Sequence, residues 1–89
     1  MVTIAYIVKY DPDPNKQVII QGRAYDKRGN PVRWAITRGQ GIYCLSRSLK
    51  WDREIAIDKR TEEWLGHHRY SDPLEAKEFY DKYIVQSEG

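Results

Sequence analysis

Cysteine is nearly missing from this 89-residue chain: Cys44 stands alone, so it can close no internal disulfide, and no His, Asp or Glu surrounds it at a metal-ligand spacing. Long apolar runs are missing too. The longest is the five residues from Ile4 to Val8, far short of the roughly 20 a membrane helix needs, and too short for a secretory signal core. No Asn-x-Ser/Thr acceptor occurs. These absences together make a cytoplasmic protein the expectation. The one glycine cluster, Gly39-Gln40-Gly41, lacks the spacing and following helix of a phosphate loop. Phenylalanine occurs once, against seven Tyr and three Trp. Tyrosine and tryptophan pair an apolar body with a polar handle, which suits half-exposed surfaces. A chain of this length is read as one domain, residues 1–89, too small for a deep cofactor cleft, and no cofactor is expected.

What is present is a polarised charge. Between Lys16 and Lys50 lie eight basic residues against the single acid Asp26. From Trp51 to Gly89 six basic residues meet ten acidic ones, and the overall +2 hides the split. One half suits an acidic partner and the other repels it.

Apolar alternation predicts strands over Val2–Tyr10, Gln17–Tyr25, Val32–Thr37 and Ile42–Arg47, with a weaker one at Glu54–Ile57. In the third, Val32, Trp34 and Ile36 face inward. Asp11-Pro12-Asp13-Pro14-Asn15 and the run from Asp26 to Pro31 are turns. Thr61 caps a short helical turn that Gly66 ends. Asp72, Pro73 and Glu75 form a capping box with a proline start. The helix that follows gathers Ala76, Phe79, Tyr80, Tyr83 and Ile84 on one face, as core packing requires. The expected fold is α+β: an antiparallel sheet of three to five strands, with a short helix and a C-terminal amphipathic helix packed on one face.

No motif here fixes a reaction. His67-His68-Arg69-Tyr70 is the one cluster that invites a catalytic reading, yet neighbouring residues diverge on a strand or helix and rarely serve one substrate. Asp11 and Asp13 alternate with prolines and lack the remaining ligands of a calcium loop. No metal site is expected. Candidate partner-binding residues are Arg23, Tyr25, Arg28, Arg33, Arg38, Tyr43 and Arg47, basic and aromatic side chains on strands and loops that the core does not require.

The run from Tyr43 to Trp51, then Arg60-Thr61-Glu62-Glu63-Trp64-Leu65, then His68 to Ala76, resembles a layout found in small phage and prophage proteins. The resemblance covers about the second half of the chain and transfers no functional residue. It implies a context: a phage-encoded protein, working in the host cytoplasm, that binds and blocks a host machine as anti-CRISPR proteins do. Such a protein meets an acidic surface on a protein or nucleoprotein complex, with no membrane partner. Two other readings stay open. One is a direct nucleic-acid binder using Arg23, Arg33, Arg38 and Arg47 with Tyr25 and Tyr43, stacking bases and pairing phosphates. The other is a small metal-independent ribonuclease, which requires His67 or His68.

Overall fold

The computed structural model describes residues 5–88, with the backbone alone for Glu88. Five strands form one antiparallel sheet in chain order: β1 (Ala5–Lys9), β2 (Val18–Tyr25), β3 (Pro31–Arg38), β4 (Tyr43–Leu45) and β5 (Trp51–Arg53). A 3-10 turn at Ile57–Lys59 leads to the helices α1 (Glu62–His68) and α2 (Pro73–Glu88). The α+β architecture expected from the sequence is therefore the one observed. Of the first expected strand, residues 2–4 lie outside the described residues.

Register explains which side chains meet. Tyr6 pairs with Ile20, Ile20 with Ile36, and Leu45 with Trp51, so these residues share one face of the sheet. Val18, Ile20, Trp34, Ile36 and Leu45 are buried there with Tyr70, Ala76 and Tyr80. Phe79, Tyr83 and Ile84 of α2 close over them. The helix begins as its sequence dictates: the Glu75 N–H donates to the Asp72 carboxylate at 2.8 Å. The Glu75 carboxylate turns elsewhere, accepting from the Ser71 hydroxyl at 3.2 Å and from Arg47 at 2.6 Å.

Four expectations change. The two helices do not pack on one face: α1 lies against the side of the sheet opposite α2, where its His68 meets Asp52. Val32, expected inward, is 48% exposed, because it stands at the hairpin end of β3, where two register shifts disturb the pairing with β2 and leave it without a partner in the register. The fifth strand is Trp51–Arg53, not Glu54–Ile57. The tight turn before it sets this register: Ser46 N–H donates to the Lys50 carbonyl and Leu49 takes a positive φ of 64°. Gly66 does not end α1, which continues through His67 to His68. The Arg69 N–H closes the last turn on the Leu65 carbonyl, and His68 Nδ1 lies 2.8 Å from the Trp64 carbonyl oxygen.

Between the helices, Tyr70 forms a two-way backbone bridge with Trp34, each N–H donating to the other's carbonyl at 2.8 Å. Its side chain enters the core, and its hydroxyl donates to the Leu45 carbonyl at 3.1 Å. Burial drives the Tyr70 pKa well above the ordinary phenol value, so this hydroxyl stays a donor. Replacing Tyr70 with Phe deprives a buried carbonyl of this donor. The Tyr70→Phe variant is expected to unfold in urea with a stability loss of about 1–3 kcal/mol and an unchanged m-value.

Candidate functional site

The face of the sheet opposite α2 carries an ionic layer. Alternation sends Ala35, Thr37, Cys44 and Asp52 to this side, since Thr37 pairs with Cys44 and Cys44 with Asp52. Ala35, Thr37 and Cys44 are buried, so the face is covered rather than open. The cover comes from Glu54, Arg60, Arg69 and α1. One carboxylate oxygen of Glu54 accepts from both Arg60 and Arg69, each at 2.9 Å. Arg69 Nη1 also donates to the His68 carbonyl and Arg60 Nε to the Ile55 carbonyl. Both guanidinium groups lie against the Trp64 ring, which stacks on His68 at 4.3 Å between centroids. His68 Nε2 in turn lies 2.7 Å from the Asp52 carboxylate.

Electrostatics in this layer follow from burial. Burial alone would raise the Glu54 pKa, but the hydrogen bond and charge of Arg69 outweigh it and hold the carboxyl below its ordinary value. Cys44 faces Glu54; burial first, and then the Glu54 charge, push its thiol up to about 12. The thiolate is the reactive form, so Cys44 is a poor nucleophile. His68 has both ring nitrogens engaged. Its neighbour His67 is exposed, and the Arg47 N–H donates to its carbonyl. The two histidines are therefore not brought to one point.

The seven sequence-derived candidates disperse. Arg47 is built into the fold: its guanidinium donates to the Gly66 and Arg69 carbonyls and to Glu75, and lies over the Tyr70 and Phe79 rings. The Arg47 hydrogen bond is also what lowers the Glu75 pKa. Arg33 pairs with Glu62 of α1 at 3.2 Å on the surface. Arg23 reaches toward Gly41 and its charge acts on Glu54, while its Nε is buried without a partner among the described residues. Tyr25 is exposed and donates to the Gly22 carbonyl. Arg28 projects from the Asp26–Asn30 turn, where its N–H donates to the Asp26 carboxylate. Arg38 and Tyr43 pair across β3 and β4, and so share the α2 side.

Arg38 belongs to a different constellation, one that sequence reasoning missed. A groove of about 300 Å³ opens between the ends of β1, β2 and β3 and the second half of α2. Lys9, Lys16 and Arg38 line it, with Trp51 and Tyr83 as aromatic walls. The Arg38 guanidinium lies over the Trp51 ring at 4.3 Å, and Tyr83 meets that ring edge-on. None of the three cations is ion-paired among the described residues. Lys9 and Lys16 flank the Asp-Pro turn, and only strand register reveals that they stand beside Arg38.

No protein family, curated protein or solved structure shows significant similarity to this chain. Among the described residues no group of three or more His, Cys, Asp or Glu could hold a metal ion, and no helix is long and apolar enough to cross a membrane.

Two outcomes test the ionic layer. Glu54→Gln leaves the buried Arg69 and the half-buried Arg60 without their charge partner and is expected to cost about 3–5 kcal/mol at neutral pH. Because the native pKa of Glu54 is depressed, its contribution is complete above the unfolded-state value and fades as pH falls through the native one. Urea titrations should therefore show wild type and variant converging in acid; a gap independent of pH would contradict the pairing. Separately, Cys44 should resist Ellman's reagent at pH 8 in buffer and react within seconds in 6 M guanidinium. Fast labelling of the folded chain would show the thiol to be open.

Proposed function

We propose that this protein is a non-catalytic binding domain that docks, through cations its fold does not use, on an acidic surface of a larger macromolecular machine. The observation that carries this reading is the division of the basic residues. Arg47, Arg60 and Arg69 are held by internal carboxylates. Lys9, Lys16, Arg28 and Arg38 have no ion pair among the described residues. Charges in the first group specify the fold; those in the second are free to steer and orient a partner.

The chemistry of the remaining groups supports the non-catalytic half of the proposal. Both ring nitrogens of His68 are occupied and the Cys44 thiol is held protonated. A standard interface takes about 800 Å² from each partner, about an eighth of a surface of 6139 Å². A protein of this size acts by occupying a site. The layout resemblance to small phage proteins makes a host defence complex or another host machine the partner in view, with inhibition as the consequence. Direct nucleic-acid binding is disfavoured by the dispersal of Arg23, Arg33, Arg38 and Arg47, which form no continuous stacking surface.

Capture on the immobilised protein tests the reading. A single host assembly should be retained in stoichiometric amount, and the combined Lys16→Glu, Arg28→Glu and Arg38→Glu variant should lose at least about tenfold in affinity with unchanged thermal stability. Reversal of the exposed acids Glu63 and Glu78 to Lys should leave binding within twofold. No retained assembly, or loss of binding on the acidic reversal alone, would overturn it. So would a mobility shift of naked nucleic acid whose affinity falls steeply with salt.

A further inference from the structure

We infer that the groove between the β1–β3 strand ends and α2 is a recognition site for side-chain carboxylates of an acidic peptide segment on the protein partner; this rests on the binding-domain reading above. Three features converge on it. Lys9, Lys16 and Arg38 come from three different strands or turns, yet line one depression of about 300 Å³ with no acidic residue among its lining. Arg38 is pre-organised. Its guanidinium carbon lies 4.3 Å from the centre of the Trp51 ring, a contact that restrains the side chain, and no ion pair among the described residues takes up its donors, which can serve a carboxylate. Trp51, which lines the same groove, has a buried indole N–H with no acceptor among the described residues. Buried donors are seldom left this way in a finished site, and an arriving carboxylate supplies acceptor atoms to the three cations beside it.

The surroundings select a peptide over a nucleic-acid strand. Asp11 and Asp13 sit in the connection that carries Lys16, and Glu78 lies exposed on α2, where Asp81 is paired with Lys77 at 2.7 Å. A phosphate backbone running through the groove would pass these carboxylates on leaving it. A short acidic segment would not. The floor also contributes Val18 and Ile84, so an apolar residue between the acids has a surface to bury against.

The test uses the full-length ¹⁵N-labelled chain and a capped pentapeptide of two glutamates, one phenylalanine and two glutamates. An oligonucleotide of twelve thymidines and inorganic phosphate serve as separate probes. The peptide is expected to shift the Trp51 indole N–H, assigned by its loss in Trp51→Phe, and the Lys16 amide. The indoles of Trp34 and Trp64 should stay unmoved. Lys16→Glu or Arg38→Glu should weaken the peptide at least about tenfold, while Arg28→Glu, outside the groove, leaves it unchanged. Absence of a Trp51 shift, or equal shifts in the charge-reversed chains, overturns the proposal. So does tighter binding of the oligonucleotide or of phosphate at the same residues. Should Lys9 and Lys16 serve only the carbonyl end of α2, Lys16→Glu lowers the melting temperature and no peptide shift is seen, which also overturns it. Loss of partner capture in Arg28→Glu but not in Lys16→Glu/Arg38→Glu would reject the groove and leave the binding-domain reading standing. Failure to capture any partner would reject that reading first.

Discussion

The backbone bridge between Trp34 and Tyr70 is the constraint on which the rest of the molecule depends. It places two consecutive residues, Arg69 and Tyr70, in extended backbone beside β3, and extended neighbours point to opposite faces. Tyr70 goes to the α2 side and joins the apolar core. Arg69 goes to the other side and meets Glu54. A two-residue link thus fixes both layers at once: an oily one under α2 and an ionic one under α1. Either helix alone would leave half of the central strands uncovered.

The two layers account for where the charge of the chain goes. The acidic second half looks from composition like a surface that repels an acidic partner. Three of its ten acids are engaged within the fold instead: Glu54 holds Arg60 and Arg69, Glu75 holds Arg47, and Asp52 meets His68. Buried ion pairs add little net stability over an apolar replacement, but a half-broken pair is costly. Such pairs therefore dictate which arginine sits where. Of the cations with no ion pair among the described residues, Lys9, Lys16 and Arg38 gather toward the β1–β2 and β3–β4 ends of the sheet, while Arg28 stands at the β2–β3 turn.

Legibility in the sequence tracked how local each signal is. The start of α2 was readable because Asp72, Pro73 and Glu75 act within one turn, and the longer strands because alternation needs no partner to be seen. The strand at Trp51–Arg53 was not, since Asp52 and Arg53 break the apolar pattern and pairing with β4 sets it. Gly66 misled for a related reason. Glycine favours a helix end, yet the contacts of His68 and Arg69 with Trp64 and Leu65 carry α1 past it. Among the site candidates, Arg47 looked free because Glu75 lies 28 residues away. Lys9 and Lys16 looked like flanks of a turn because only the sheet places them beside Arg38. Long-range pairing decided each of these cases, and no local pattern encodes it.

Native-state hydrogen exchange at the amides of Trp34 and Tyr70 tests the central claim most directly. If their bridge joins the two layers, both amides should exchange only through global unfolding, with the free energy and urea dependence of the whole domain. Exchange of either amide through a local opening several kcal/mol below the global value, insensitive to urea, would contradict it: the α1–α2 link would then be an attachment that the sheet does not need.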